Sequence, residues 1–247
     1  MFAYLDNVST LDLSGLDTSN MTSMSKMFYN SKSLTNIDTS GFDTSKVVNM
    51  NGMFWGCNNL KNIDVSNFKT SKVIDMNNMF ADCSSLTTLD LSNFDTSNVT
   101  NMGSTFQNCN SLISLDLSNF NTGKVTTMSQ MFRSCHSLTN LNLSGFDTSS
   151  VTSTWYMFRD CDKLTELDLS SFNTSKVTTM GTMFGNCTTL KTIYVSELWD
   201  VSNVPSSDSI FYNCQSLVGA VSYDRTKTDK TMANYTTGYL TYKKNTN

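Results

Sequence analysis

Seven cysteines carry the most reactive side chains in this sequence: Cys57, Cys83, Cys109, Cys135, Cys161, Cys187 and Cys214. They recur every 26 residues, with one final step of 27. Thiols in such a row could form disulfides, hold a soft metal or do redox chemistry. No C-x-x-C pair occurs, so the usual zinc ligand spacing is missing. If successive units stack like strands, neighbouring thiols come within about 5 Å, close enough for a disulfide. Against this, the count is odd, and Leu5 and Ser31 fill the same place earlier in the chain. The expectation is seven buried free thiols acting as small apolar side chains. His136 is the one histidine and follows Cys135 directly. Adjacent turn residues rarely aim at one substrate atom, so a Cys/His nucleophile pair is not expected. Other units place Asn58, Ser84 or Asn110 where His136 stands, which reads as an exposed, variable position.

Two polar columns follow the same step. Asp12, Asp38, Asp64, Asp90, Asp116 and Asp168 form one, interrupted by Asn142 and ended by Tyr194. Stacked carboxylates about 4.8 Å apart repel, which should push their pKa values up. Serines two residues on, from Ser40 to Ser170, could donate hydrogen bonds to them. Hard cations such as Ca²⁺ or a basic partner are the other ways to relieve the charge. The interrupted row argues against a strict metal array, and neither a metal nor another cofactor is expected. The second column is Thr18, Thr44, Thr70, Thr96, Thr122, Thr148 and Thr174. Its hydroxyls are expected to bond local backbone; a flat threonine array that orders water, as on an ice-binding surface, is an alternative. Trp55, Trp155, Trp199, Arg133, Arg159 and Tyr212 break the small polar pattern. Large aromatic and arginine side chains are the residue types that anchor specific contacts.

The elements that position these side chains are read from the same period. Phe2, Phe28, Phe54, Phe80, Phe106, Phe132, Phe158 and Phe184 keep the 26-residue step without a slip. Such a period marks a repeat array whose units stack only on their neighbours. "L-x-x-L-D-L-S" alternates apolar residues, as at Leu115 and Leu117, which predicts a strand buried on one face. "V-x-x-M-x-x-M-F" spaces Val73, Met76, Met79 and Phe80 by helical steps, which predicts one or two helical or 3-10 turns. The prediction is an α/β solenoid: a right-handed coil with one parallel sheet face and short helical or 3-10 turns opposite. Residues 1–222 make about eight coils, starting within a repeat. Residues 223–247 make a C-terminal cap, with Tyr223, Tyr235, Tyr239, Leu240 and Tyr242 over the last coil.

Composition narrows the partners. A formal net charge of −4 argues against nucleic acid or an anionic membrane surface. No apolar run is long enough to span a bilayer. "MFAYLDNVSTLDL" has no basic or apolar signal region and aligns with the middle of a unit, so the chain reads as a fragment of a longer protein.

"LTTLDLSNF" resembles the L-x-x-L-x-L core of leucine-rich repeats. It departs where those carry Asn, having Phe94, Phe120 and Phe146 instead. The fuller pattern, "MF-x-x-C-x-x-L-x-x-L-D-L-S-x-F-x-T-S-x-V-x-x-M", closely resembles the BspA-like repeats of bacterial surface proteins and mycoplasma-type lipoproteins. The tail from Leu217 also resembles the C-terminal caps of such arrays. The resemblance implies an extracellular or cell-surface protein of a bacterium that binds a host or neighbouring-cell protein or glycan. The expected function is therefore a non-catalytic, monomeric adhesion or binding module, working through the sheet face or its rim. Its candidate ligand residues are Asp38, Asp64, Asp90, Asp116, Asp168, Trp55, Arg133, Trp155 and Arg159. A structural spacer displaying other domains is the alternative. An enzyme is not expected, since no nucleophile, base and oxyanion set can be assembled.

Overall fold

The chain solves the problem of its short apolar segments by stacking them. A computed structural model describes residues 1–205 and 208–245. No single coil could bury its own Phe, Leu and Met, but stacked coils share one elongated core. The phenylalanine column runs through it from Phe2 to Phe211, with neighbouring ring centroids 5.5–5.9 Å apart. A second aromatic column holds Phe42, Phe68, Phe94, Phe120, Phe146 and Phe172, all buried. Burying each such ring contributes about 1.5–3 kcal/mol. At the C-terminal end Tyr239 meets Phe211 edge-on at 5.4 Å and 90°. Trp199, expected as a contact residue, is instead 8% exposed in the core, its Nε1–H donating to Ala233 O at 3.1 Å. The reason is its place: it follows Phe172 in the second aromatic column. Residues 246 and 247 of the expected cap lie outside the described residues.

Five short strands are present among the described residues: β1 (Ser114–Asp116), β2 (Asn140–Asn142), β3 (Glu166–Leu169), β4 (Thr192–Val195) and β5 (Thr241–Tyr242). All pairings are parallel; β1 pairs with β2, and β4 lies between β3 and β5. Residues 26 apart face each other, as Leu115 faces Leu141 and Leu167 faces Ile193. The ladder does not extend to the earlier coils as expected. There this face is joined by sparse bonds such as Thr35 N–H to Ser9 O and Thr87 N–H to Lys61 O.

The unbroken parallel ladder lies elsewhere. Single bridges link Ser23, Asn49, Asp75, Asn101, Thr127, Ser153 and Thr179 in turn. They open the "V-x-x-M-x-x-M-F" segment, which is not helical: the one 3-10 helix among the described residues is Lys230–Met232, outside the repeats. Its N–H groups are shared between two directions. Met76, Asn78, Phe80 and Asp82 donate to the next coil, at Asn101, Gly103, Thr105 and Gln107. Met79, Ala81 and Cys83 between them close turns to Met76, Asn78 and Phe80. A helix would keep both sets for itself and leave the next coil unpaired. The backbone also forbids it, because Asn78 and Asp82 have φ of 56° and 57°. Such turns, with φ > 0 at their third residue, favour Gly and Asn.

Two columns of each coil therefore need left-handed backbone, and not every residue there suits it. Gly52 and Asn78 do; Thr182, at φ 52°, does not. A left-handed β-branched residue carries about 1–2 kcal/mol of strain. Thr182→Asn is expected to stabilise the chain by about 0.5–1 kcal/mol. A melting temperature that fails to rise would contradict this account of the turn.

The threonine column is buried, from Thr44 at 0% to Thr18 and Thr70 at 2% exposed. It does not bond local backbone as expected. Thr44 Oγ1 accepts from Lys69 N–H at 2.7 Å and donates to Lys69 O at 3.1 Å, one coil onward. Thr18, Thr70 and Thr174 make the same reciprocal pair. The hydroxyls satisfy backbone groups that would otherwise be buried unpaired. A buried column cannot be the exposed, water-ordering array that the threonine spacing also allowed.

Candidate functional site

The cysteine column sits deep in the stack, and all seven thiols are free and buried. Each Sγ–H donates to the carbonyl of a phenylalanine in the preceding coil: Cys57 to Phe28 and Cys83 to Phe54, both at 3.2 Å. Ser31 makes the same bond to Phe2 O at 2.6 Å. The slot thus holds a small donor rather than a purely apolar side chain. Burial pushes the Cys57, Cys135 and Cys214 thiols up to about 12. Such thiols are poor nucleophiles. Cys135 Sγ points at Phe106 O, while exposed His136 lies with Nδ1 3.0 Å from both carboxylate oxygens of Asp162. The two adjacent residues face different ways, so they form no dyad.

The strand face carries the aspartate column. Each carboxylate turns back on its own chain: Asp38 Oδ1 accepts from Ser40 N–H at 2.9 Å, and Asp64, Asp90 and Asp116 do the same with Ser66, Ser92 and Ser118. These bonds reverse the expected direction of the pKa shift. At Asp38 and Asp64 the serine hydroxyl contributes most and the backbone N–H next, holding both carboxyls below their ordinary value. At Asp90 and Asp116 the backbone bond leads and the hydroxyl follows. Repulsion from the neighbouring coil, Asp12 on Asp38 or Asp64 on Asp90, is the smaller influence. The row is therefore ionised at neutral pH, with its outer lone pairs facing solvent.

Open clefts lie along this face, both over the sparsely bonded early coils and over the paired strands. One of about 530 Å³ lies over Asp38 and Asp64, one of about 580 Å³ over Asp90 and Asp116, and one of about 430 Å³ over Asp116 and Asp168. At the far end the chain places a cation of its own. β5 extends the sheet beside β4, and Lys243 Nζ reaches back across the Tyr194 ring, 5.3 Å from its centroid, to Asp168 Oδ2 at 2.6 Å. Burial pushes Asp168 up, but the Lys243 and Ser170 hydrogen bonds outweigh it and the net shift is downward. Lys243 was not among the sequence candidates, because nothing in its spacing marks it as a partner of a residue 75 positions away.

The rim divides into two clusters. Trp55 packs edge-on against Tyr29 at 4.9 Å, with Lys26 Nζ 6.0 Å from its ring, and its Nε1–H donates to Asp82 Oδ2 at 2.7 Å. Its polar atom is thus already paired. Arg133, Trp155 and Arg159 come together about a residue the sequence reading passed over, Tyr156. The two guanidinium carbons lie 5.4 and 4.6 Å from the Tyr156 ring centroid, and Trp155 stacks on it at 3.9 Å. A signal was available: Trp155 and Tyr156 stand where other coils have pairs such as Asn77–Asn78 or Gly103–Ser104. No group of three or more His, Cys, Asp or Glu able to hold a metal occurs among the described residues. No helix there is long and apolar enough to cross a membrane.

A family model described as "Mycoplasma protein of unknown function, DUF285" matches residues 1–114, 104–223 and 138–247. No curated protein matches. The chain is similar to a solved leucine-rich repeat protein from Bacteroides ovatus, at 17% identity over 72% of this chain and 70% of that one, TM-score 0.31. It is similar to a leucine rich cell surface protein from Faecalibacterium prausnitzii, at 16% identity over 81% and 76%, TM-score 0.30. A third, the functional domain of InlJ from Listeria monocytogenes, which includes a cysteine ladder, shares 18% identity over 85% and 47%, TM-score 0.23. Superpositions this loose carry no argument about what this chain does.

Proposed function

The chain belongs to the DUF285 family of Mycoplasma proteins of unknown function, and from that premise we propose that it is a non-catalytic binding module at a bacterial cell surface, whose strand face holds a basic segment of a partner protein. The observation that carries this reading is the contact between Lys243 and Asp168. Here a basic side chain, carried on a strand added to the sheet edge, has docked on the aspartate column. The same carboxylates at Asp64, Asp90 and Asp116 stand ionised over open clefts, without such a cation among the described residues. A partner's lysines lying across this face would meet the carboxylates as Lys243 meets Asp168, through charge-assisted hydrogen bonds. A spacer would need only an even surface, whereas the gathering of Arg133, Trp155 and Arg159 breaks that evenness.

Exposed ion pairs are individually weak, at about 0–1 kcal/mol each, so attraction should be modest and screened by salt. Titration calorimetry with a lysine-rich extended peptide is expected to show weak binding that fades as salt is raised. Combined Asp64→Asn, Asp90→Asn and Asp116→Asn substitutions should abolish it, since Asn keeps the turn hydrogen bond and loses the charge. Unchanged binding in that variant would mean the column is architecture alone. Ca²⁺ is expected to bind no better to the parent than to the variant.

A further inference from the structure

The rim cluster holds groups that the fold leaves unsatisfied. Among the described residues, the buried side-chain polar atoms without a hydrogen-bond partner are Arg133 Nε, Thr154 Oγ1 and Arg159 Nε. The two arginine atoms fall within this patch, whereas Thr154 takes the place that Met128 and Met180 hold in the buried methionine column. An unmet buried donor is costly, most of all on a charged group, and native structures tolerate few of them. Arg159 Nε lies 3.3 Å from Asp160 Oδ2, but it is not aligned to donate. Arg133 Nη1 donates to Gln130 Oε1 at 2.8 Å. Among the described residues neither guanidinium makes another side-chain hydrogen bond. Two arginines on neighbouring coils thus lie against one ring; among the described residues Asp160 is the one carboxylate paired with either within 4 Å, and Asp208 stands beside Gly181, which Trp155 also contacts.

Tyr156 sits at the left-handed turn position that recurs along the stack, at φ 58° beside 56° for Asn78 and 60° for Gln130, so this patch differs from the other coils in its side chains and not in its backbone. Trp155, 41% exposed, lies flat on Tyr156 and reaches over Gly181 of the next coil, where a Cβ would stand 3.1 Å from Trp155 Cδ1. The patch therefore combines two planar cationic forks with an exposed flat apolar ring. The forks match a carboxylate or sulfate in bidentate fashion. The indole face suits the C–H face of a pyranose ring. A phosphopeptide would use the arginines but gain little from the indole.

We propose that Arg133, Arg159, Tyr156 and Trp155 form a binding site for an acidic sugar, with a uronate carboxylate or sugar sulfate in the arginine forks and the ring on Trp155. This site is separate from the strand face, and the Asp64, Asp90 and Asp116 substitutions leave it intact.

The test is an NMR or tryptophan-fluorescence titration of the full chain with a glucuronate-containing disaccharide. Its neutral parent, inorganic sulfate and a phosphoserine peptide without aromatic residues are the comparison probes. The acidic disaccharide is expected to bind at least about tenfold more tightly than the neutral one. Combined Arg133→Lys and Arg159→Lys substitutions keep the charge but lose the forks, and should weaken it about tenfold. Trp155→Ala should remove the preference for the sugar acid over inorganic sulfate. The proposal is overturned by equal binding of the neutral sugar, by sulfate binding as tightly as the disaccharide, by tighter binding of the phosphopeptide, by an unaffected lysine variant, or by no saturable binding. Should the lysine variant fail to fold, the ranking of probes on the parent chain still decides.

Discussion

Phe106→Ala will destabilise the chain by about 3–5 kcal/mol, as truncations of large core aromatics do, and the loss will be local. Phe106 is fully buried and stacks on Phe80 at 5.9 Å and Phe132 at 5.7 Å, nearly parallel to both. Its backbone N–H also donates to Met131 O at 3.0 Å. Removing the ring leaves a cavity shared by three coils, and the stiff turns on either side cannot close over it. In a stacked array each unit contacts only its neighbours, so the weakened region should centre on residues 80–132. Hydrogen exchange along the chain will show protection falling most there and least near Phe28 and Phe211. Equal loss at every coil would mean that the stack unfolds as one unit and that the nearest-neighbour description is wrong.

The second large effect is on thiol reactivity. In the folded chain alkylation should be slower than in denaturant by more than about a thousandfold, for two reasons that multiply. The Cys135 thiol is pushed up to about 12 by burial, against an unfolded value of about 8.5, so at pH 8 its thiolate fraction falls by roughly three orders of magnitude. The buried sulfur is also out of reach of the reagent. Cys83, Cys109, Cys161 and Cys187 are likewise raised well above the ordinary thiol value, again mainly by burial. Mass spectrometry after timed alkylation should count seven slow sites, all fast in denaturant. A rapidly labelled subset, or stacked disulfides in protein kept reduced, would contradict the buried column. The same shifts set an alkaline limit. A folded pKa above the unfolded one contributes stability that is complete below about pH 8.5. It is lost as pH rises toward about 12, because the unfolded chain gives up its thiol protons first.

Sequence periodicity alone was enough to place the core. Columns such as Phe28–Phe54–Phe80 and the cysteine row are buried because an array buries whichever letters it repeats, and a period can be read without coordinates. The residues that break the period, Arg133, Trp155 and Arg159, were legible for the same reason. What the sequence left open were matters of where backbone hydrogen bonds go. The three- and four-residue spacing of Val73, Met76, Met79 and Phe80 suits a helix and equally suits turns whose alternate N–H groups reach the next coil. Only the presence of that next coil decides between them. The same holds for Thr44, whose partner Lys69 lies one coil away, and for the aspartates, whose own serine bonds outweigh repulsion along the row. Trp199 looked like an exposed exception until its neighbours enclosed it, and Tyr156 broke the small polar pattern in the sequence but gained its role only when stacking brought two arginines to its ring. Periodicity is a property of one chain segment compared with another, so the letters record it. Which donor meets which acceptor is settled by the distance between coils, and only the tertiary structure sets that distance.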